Sequence, residues 1–260
     1  MMESRRHYDN VYKAGIWTEE QLDPRKLSKS GLILKKLSPQ RGEILLDLGC
    51  GNGRYSKIFS LRGVSVAGLD ISKLALDLAK KQHVHCNLVL GTAEKLPFKD
   101  GVFDKVFAMD VLEHVQNDFE CLNGIIRIIK NGGVIFVSFP KEKKVFKFSE
   151  DSRLGHLHVY QKDSIKEFLE KNGLVAEIYF MDAFFDYFCY HLDLAFKRIL
   201  THEKVDPLKS SIKRGDLSLR LGRKLLTLVA SIDLFFCRFP FGNTFFVFAR
   251  KRNVSQKVFG

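Results

Sequence analysis

The chain has 260 residues, with 42 Lys and Arg against 30 Asp and Glu, and 45% of its residues are apolar. That length suits one α/β domain with an elaboration, and the apolar and charged fractions exclude a largely disordered chain. Cys50, Cys86, Cys121, Cys189 and Cys237 are odd in number, far apart and without a CxxC pair, which argues against a zinc ribbon or a disulfide framework and fits reduced thiols in the cytoplasm.

In chain order, residues 1–40 are polar and aromatic, with Tyr8, Tyr12 and Trp17, and read as a helical cover. The opening MMESRRHYDN has no apolar run of the kind a signal peptide carries. A regular alternation then begins. Glu43–Leu48 reads as a buried first strand, Gly49–Gly53 as a glycine-rich turn, Arg54–Arg62 as a helix and Val64–Leu69 as a second strand. Ser72 is the expected N-cap of a helix over Lys73–Gln82. Asn87–Leu90 and Phe103–Met109 read as the third and fourth strands. Phe119–Ile129 reads as a helix closed by Asn131-Gly132-Gly133 as a C′ glycine signal, followed by a fifth strand at Val134–Phe139. A helix over Asp163–Asn172, a sixth strand at Leu174–Phe180 and a seventh at Thr244–Ala249 complete the pattern. Strands alternating with helices predict a doubly wound, mainly parallel α/β sheet.

Ala183–Pro240 interrupts that pattern and reads as helical. Phe184, Phe188, Leu192 and Phe196 fall at helical spacing, and Leu217–Phe236 mixes Arg220, Arg223 and Lys224 with aliphatic residues. From Phe184 onward there are 14 Lys and Arg against 6 Asp and Glu. A basic amphipathic stretch suits plain packing, a cap over an apolar pocket, or peripheral contact with an anionic membrane surface. Nucleic acid is disfavoured, because the basic residues are interleaved with aliphatics as in a packed helix. No run of about 18 uncharged apolar residues predicts a membrane-spanning helix.

The chemistry concentrates in LLDLGCGNGRYS, residues 45–56. Asp47, Gly49, Cys50, Gly51 and Gly53 follow a buried strand, and the glycines permit a sharp turn whose amides can touch a ligand. Arg54 replaces the glycine that a GxGxxG pyrophosphate loop needs, which disfavours a NAD or nucleotide-sugar enzyme. Asp70, at the end of the second strand, is placed to accept hydrogen bonds from two ribose hydroxyls. His114, His156 and His158 are the candidate bases near neutral pH.

These segments, with GLDIS (68–72), AEKLPF (93–98), FDKVFAMDVLEHV (103–115) and KNGGVIFVSFP (130–140) in the same order, resemble the class I S-adenosylmethionine-dependent methyltransferases of the small-molecule type. The resemblance covers about residues 45–172. It implies a Rossmann-like seven-stranded methyltransferase sheet with the last strand antiparallel beside the sixth. A single domain then runs over 1–260, with a helical cover at 1–40, a cofactor-binding core at 41–182, a helical insertion at 183–240 and a last strand and tail at 241–260.

The resemblance also implies S-adenosylmethionine as cofactor. Gly49 and Gly51 would contact its methionine part, Asp47 its ammonium, and Asp70 with Ile71 its ribose. Thr92, Ala93, Glu94 and Leu96 would lie along the adenine, with Thr92 standing where the family often has Asp. Met109 and Asp110 would flank the sulfonium. The implied reaction is methyl transfer to O, N or C of a small or lipid-like acceptor, with His114 or His156 as base. Asp110-x-x-Glu113-His114 is similar to a cluster of the ubiquinone-pathway O-methyltransferases that supports a divalent cation, but adjacent Glu113 and His114 point about 100° apart on a helix, and no metal is assigned. The competing readings are a non-catalytic partner-binding protein on the same fold and a methyltransferase acting on RNA. The latter is disfavoured by Met109-Asp110-Val111-Leu112 standing where an N-P-P-Y-type tetrapeptide would be.

Overall fold

A computed structural model describes residues 5–6, 8–10, 24–82, 86–140, 157–181 and 244–253. The expected insertion at 183–240 and residues 1–4, 7 and 11–23 of the expected cover lie outside them.

The strands are β1 (Ile44–Leu48), β2 (Ser65–Asp70), β3 (Asn87–Leu90), β4 (Phe103–Ala108), β5 (Ile129–Pro140), β6 (Leu174–Met181) and β7 (Thr244–Lys251). They form a seven-stranded sheet in the order β3-β2-β1-β4-β5-β7-β6. The first five in that order are parallel neighbours, and β7 lies antiparallel between β5 and β6. Helices α1 (Pro24–Leu37), α2 (Arg54–Ser60), α3 (Lys73–Lys81), α4 (Asp118–Ile128) and α5 (Lys162–Lys171) accompany the sheet, with a 3-10 turn at Leu112–His114.

Burial on both faces explains the unbroken apolar strands. One face packs Leu122 and Ile125 of α4 and Ile165 and Leu169 of α5 against Leu46, Val106 and Ile135. The other packs Ile33 and Leu37 of α1 and Phe59 of α2 against Leu45, Phe107 and Phe136. On that face Phe107 stacks on Phe136 with ring centroids 4.9 Å apart, and Phe59 meets Phe107 edge-on at 5.3 Å. Ser72 caps α3 as expected, its hydroxyl accepting the Ala75 N–H at 3.1 Å.

One boundary differs from the sequence reading. Asn131-Gly132-Gly133 does not cap α4, which ends at Ile128 with Ile129 already extended. The segment is an irregularity inside β5: Phe103 pairs with Ile129, but Lys105 pairs with Val134. Gly132 takes the positive φ of +78° that this bulge needs.

The strand order reverses direction across β1 and β4. In an open sheet the crevice outside the carboxyl ends of the strands at such a point is where ligands bind.

Candidate functional site

A cavity of about 1140 Å³ opens there. It exceeds the usual range for one small-molecule ligand and so has room for two. The end of β1 supplies Asp47, Gly49, Cys50 and Gly51; the end of β2 supplies Asp70 and Ile71. The loop after β3 supplies Thr92, Ala93 and Glu94, and the loop after β4 supplies Met109, Asp110 and His114. All these expected site residues therefore face one space. Gly53 is not among the lining residues; it shapes the turn as the N-cap of α2, at φ +81°. Leu96, expected along the adenine, is instead buried in the core against α4. His156 lies outside the described residues.

The turn after β1 is held by its neighbours. The N–H groups of Gly49 and Cys50 both donate to the Leu69 carbonyl, at 2.8 and 3.1 Å. Gly49 has φ +68°, and a Cβ there would stand 2.5 Å from Val111 Cγ2. Only glycine fits both conditions.

Two carboxylates anchor this half of the cavity. Asp70 Oδ2 accepts the Gly51 N–H at 2.8 Å and Oδ1 accepts the Ser72 N–H at 2.8 Å. Each oxygen keeps a further lone pair for a ligand hydroxyl. Burial raises the Asp70 carboxyl, opposed by those backbone N–H groups. Asp47 is 2% exposed and accepts the fully buried Ser56 hydroxyl at 2.6 Å. Burial pushes its carboxyl up to about 7, against that hydrogen bond. A cation beside Asp47 would reverse this shift.

The other half of the cavity combines residues weighed from the sequence, Asp110, Glu113 and His158, with Tyr8, which was given no site role there. Glu113 lies in the 3-10 turn, 2% exposed, and its Oε2 has no hydrogen-bond partner. Burial raises its carboxyl, and the charge of Asp110 adds to the rise. Asp110 stands at φ +55°; its N–H donates to Ser138 Oγ at 2.6 Å and its Oδ1 accepts the Ser138 hydroxyl at 2.8 Å. Tyr8 also lines the cavity, its ring edge-on to His114 with centroids 5.8 Å apart. Asp9 beside it accepts the Ser72 hydroxyl at 2.5 Å. His158 joins the same wall: its Nε2 faces the Val115 carbonyl at 3.0 Å, while the adjacent Leu157 N–H donates to the Glu113 carbonyl at 2.7 Å. Because a carbonyl only accepts, Nε2 is the protonated nitrogen and Nδ1 keeps the lone pair when the ring is neutral. Among the described residues no three His, Cys, Asp or Glu side chains converge as a metal-binding group.

Comparison with known proteins agrees with this arrangement. Residues 46–137 match the model of a family described as a methyltransferase domain. The chain is 33% identical over 108 residues to a ubiquinone biosynthesis O-methyltransferase of Dechloromonas aromatica, covering 37% of this chain and 44% of that one. Residues 46–137 are a methyltransferase domain of the class I S-adenosylmethionine-dependent type. An uncharacterized protein of Methanocaldococcus jannaschii is 30% identical over 132 residues, 51% of this chain and 58% of its own. The chain thus spans about half the length of these curated relatives. A phosphoethanolamine N-methyltransferase of Haemonchus contortus, solved with S-adenosyl-L-methionine, shares the class I methyltransferase fold with a TM-score of 0.58 at 22% identity, covering 86% of this chain and 52% of that one. The signal for the methyltransferase half of the cavity was legible in the glycine-rich turn and Asp70. Glu113 stood out only through the Asp110-x-x-Glu113-His114 spacing, as a candidate metal ligand; its burial is a property of the folded turn.

Proposed function

We propose that this chain transfers the methyl group of S-adenosylmethionine to O, N or C of a small or lipid-like acceptor, releasing S-adenosylhomocysteine. The observation that carries the reading is the joining of Asp70 to the glycine-rich turn at Gly51, beside a cavity with room for two ligands. The residues fit the cofactor. Asp70 retains acceptor capacity for ribose hydroxyls, Asp47 is a buried carboxylate that an ammonium would neutralise, and Gly49 keeps the turn at a positive φ packed against Val111, with no side chain between.

The bound cofactor supplies an electrophilic methyl on a good leaving group. The chain's task is to align the acceptor with it and exclude water. Met109 and Asp110, after β4, line the cavity where the acceptor would meet the methyl. His114 and His156 are the proposed bases for an acceptor that must lose a proton, and His158 joins them on its geometry. In this reading the chain is one domain, its core at 41–182, and the basic insertion at 183–240 helps choose the acceptor. No helix among the described residues is long and apolar enough to cross a membrane. The proposed setting is the cytoplasm.

Calorimetric titration with S-adenosylmethionine, S-adenosylhomocysteine and NAD tests the reading. Micromolar binding of both sulfur nucleosides and none of NAD supports it. A folded sample, free of co-purified ligand, that binds neither sulfur nucleoside overturns it and favours a partner-binding protein.

A further inference from the structure

The acceptor half of the cavity has a charge character at odds with the rest of the chain. The whole sequence carries a formal charge of +12, yet Asp110, Glu113 and Glu120 line this half. Two long cations also line the cavity, Arg54 over the Tyr55 ring, 5.6 Å from its centroid, and Lys95 in the loop after β3. Among the described residues no ion pair neutralises Asp110, Glu113 or Glu120.

Glu113 makes the stronger point. It is 2% exposed, lines the cavity, and its Oε2 is left without a hydrogen-bond partner. An unsatisfied buried carboxylate oxygen is costly, and a donor arriving with a ligand removes the cost. The ring of Tyr8 lies close enough for the charge of Glu113 to raise its hydroxyl, after the larger effect of burial. A buried carboxylate beside an aromatic ring is the pairing that favours an ammonium group, through a charge-assisted hydrogen bond and the ring face. The neighbouring charge of Asp110 disfavours a carboxylate or phosphate at the same place.

We propose that the methyl acceptor carries a protonated amine, seated against Glu113 and Asp110 beside the Tyr8 ring. This rests on the reading of the cavity as a methyl-transfer site. The amine is the group that anchors the acceptor; the atom that takes the methyl is a separate matter. The groups facing it are Tyr8 from the N-terminal segment, Asp110 and Glu113 from the β4–α4 connection, His114, Glu120 of α4, and His158.

The test titrates 2-phenylethylamine and its carboxylate counterpart, 3-phenylpropionate, into the full chain by calorimetry, with and without saturating S-adenosylhomocysteine. The amine is expected to bind and the carboxylate not. Glu113→Gln, nearly isosteric, and Asp110→Asn, at an exposed position, should each weaken the amine by at least about tenfold. Equal binding of the two probes, binding of neither, or amine binding unchanged in both variants overturns the proposal. So does binding of Mg²⁺ alone that is lost in Glu113→Gln, since the occupant would then be a metal ion. If S-adenosylhomocysteine fails to bind, the methyl-transfer reading falls, while the titration without it still decides the amine seat.

Discussion

Asp70 Oδ2 accepts the N–H of Gly51 at 2.8 Å, so the acid at the end of β2 and the turn at the end of β1 form one unit. The same carboxylate accepts the N–H of Ser72, at the start of α3. Cofactor binding and turn geometry are therefore coupled through one side chain. Asp70→Ala is expected to lower S-adenosylhomocysteine affinity by about 1–3 kcal/mol, because ribose hydroxyls lose their acceptor. Asp70→Asn should lose nearly as much, since its amide nitrogen only donates and leaves one backbone N–H and a ligand hydroxyl without an acceptor. Calorimetry checks both; unchanged affinity removes Asp70 from the site.

Asp47 predicts a pH dependence whose sign is fixed by burial. Its folded carboxyl is raised to about 7, against an ordinary value near 3.8. Between these values the folded state holds a proton that the unfolded state has released, so stability falls as pH rises through that window. An ammonium ligand favours the ionised form, so S-adenosylhomocysteine affinity should weaken as pH falls below about 7. Asp47→Asn should flatten both trends. Urea unfolding and calorimetry at pH 5.5, 7 and 8.5 check them.

Gly49→Ala combines a positive φ with a Cβ placed 2.5 Å from Val111 Cγ2. The expected cost is about 3 kcal/mol of stability, shared between backbone strain and overpacking. Adding Val111→Ala should recover only the overpacking share, because the backbone conformation stays unfavourable. Denaturant midpoints of the two variants separate the contributions.

Ser138 is fully buried and makes both of the polar contacts described for Asp110. Ser138→Ala should cost about 1–3 kcal/mol, leaving the Asp110 N–H without its acceptor. It should also reduce methyl transfer once an acceptor is known, since Asp110 is then free to leave its positive φ. Full turnover in a folded Ser138→Ala protein counts against a role for Asp110.

Much of this fold was legible because its signals are local. Buried parallel strands read as apolar runs, and Ser72 read as a cap because the Ser hydroxyl at that position accepts an amide three residues on. The failure at Asn131-Gly132-Gly133 has the opposite cause. Glycine with positive φ ends helices and also forms bulges, and the pairing of Lys105 with Val134, which decides between them, is not a local property. The site divided in the same way. Asp47, Gly49 and Asp70 stood out by spacing, whereas Glu113 and Tyr8 enter the cavity only through tertiary packing. His158 was legible as a histidine, but the carbonyl of Val115 that sets its tautomer was not.

The register of the last two strands has a consequence for how this chain can be altered. Met181 and Thr244 are direct partners across β6 and β7. Everything from 182 to 243 therefore departs from and returns to one point, as the loop of a hairpin does. Closing a longer loop costs little more than closing a shorter one, about 0.6 kcal/mol per doubling. That point is a graft junction, since the ladder holds Met181 and Thr244 at the separation that a short turn or a longer segment would have to span. Exchanging such segments on an unchanged sheet would test whether acceptor preference travels with them.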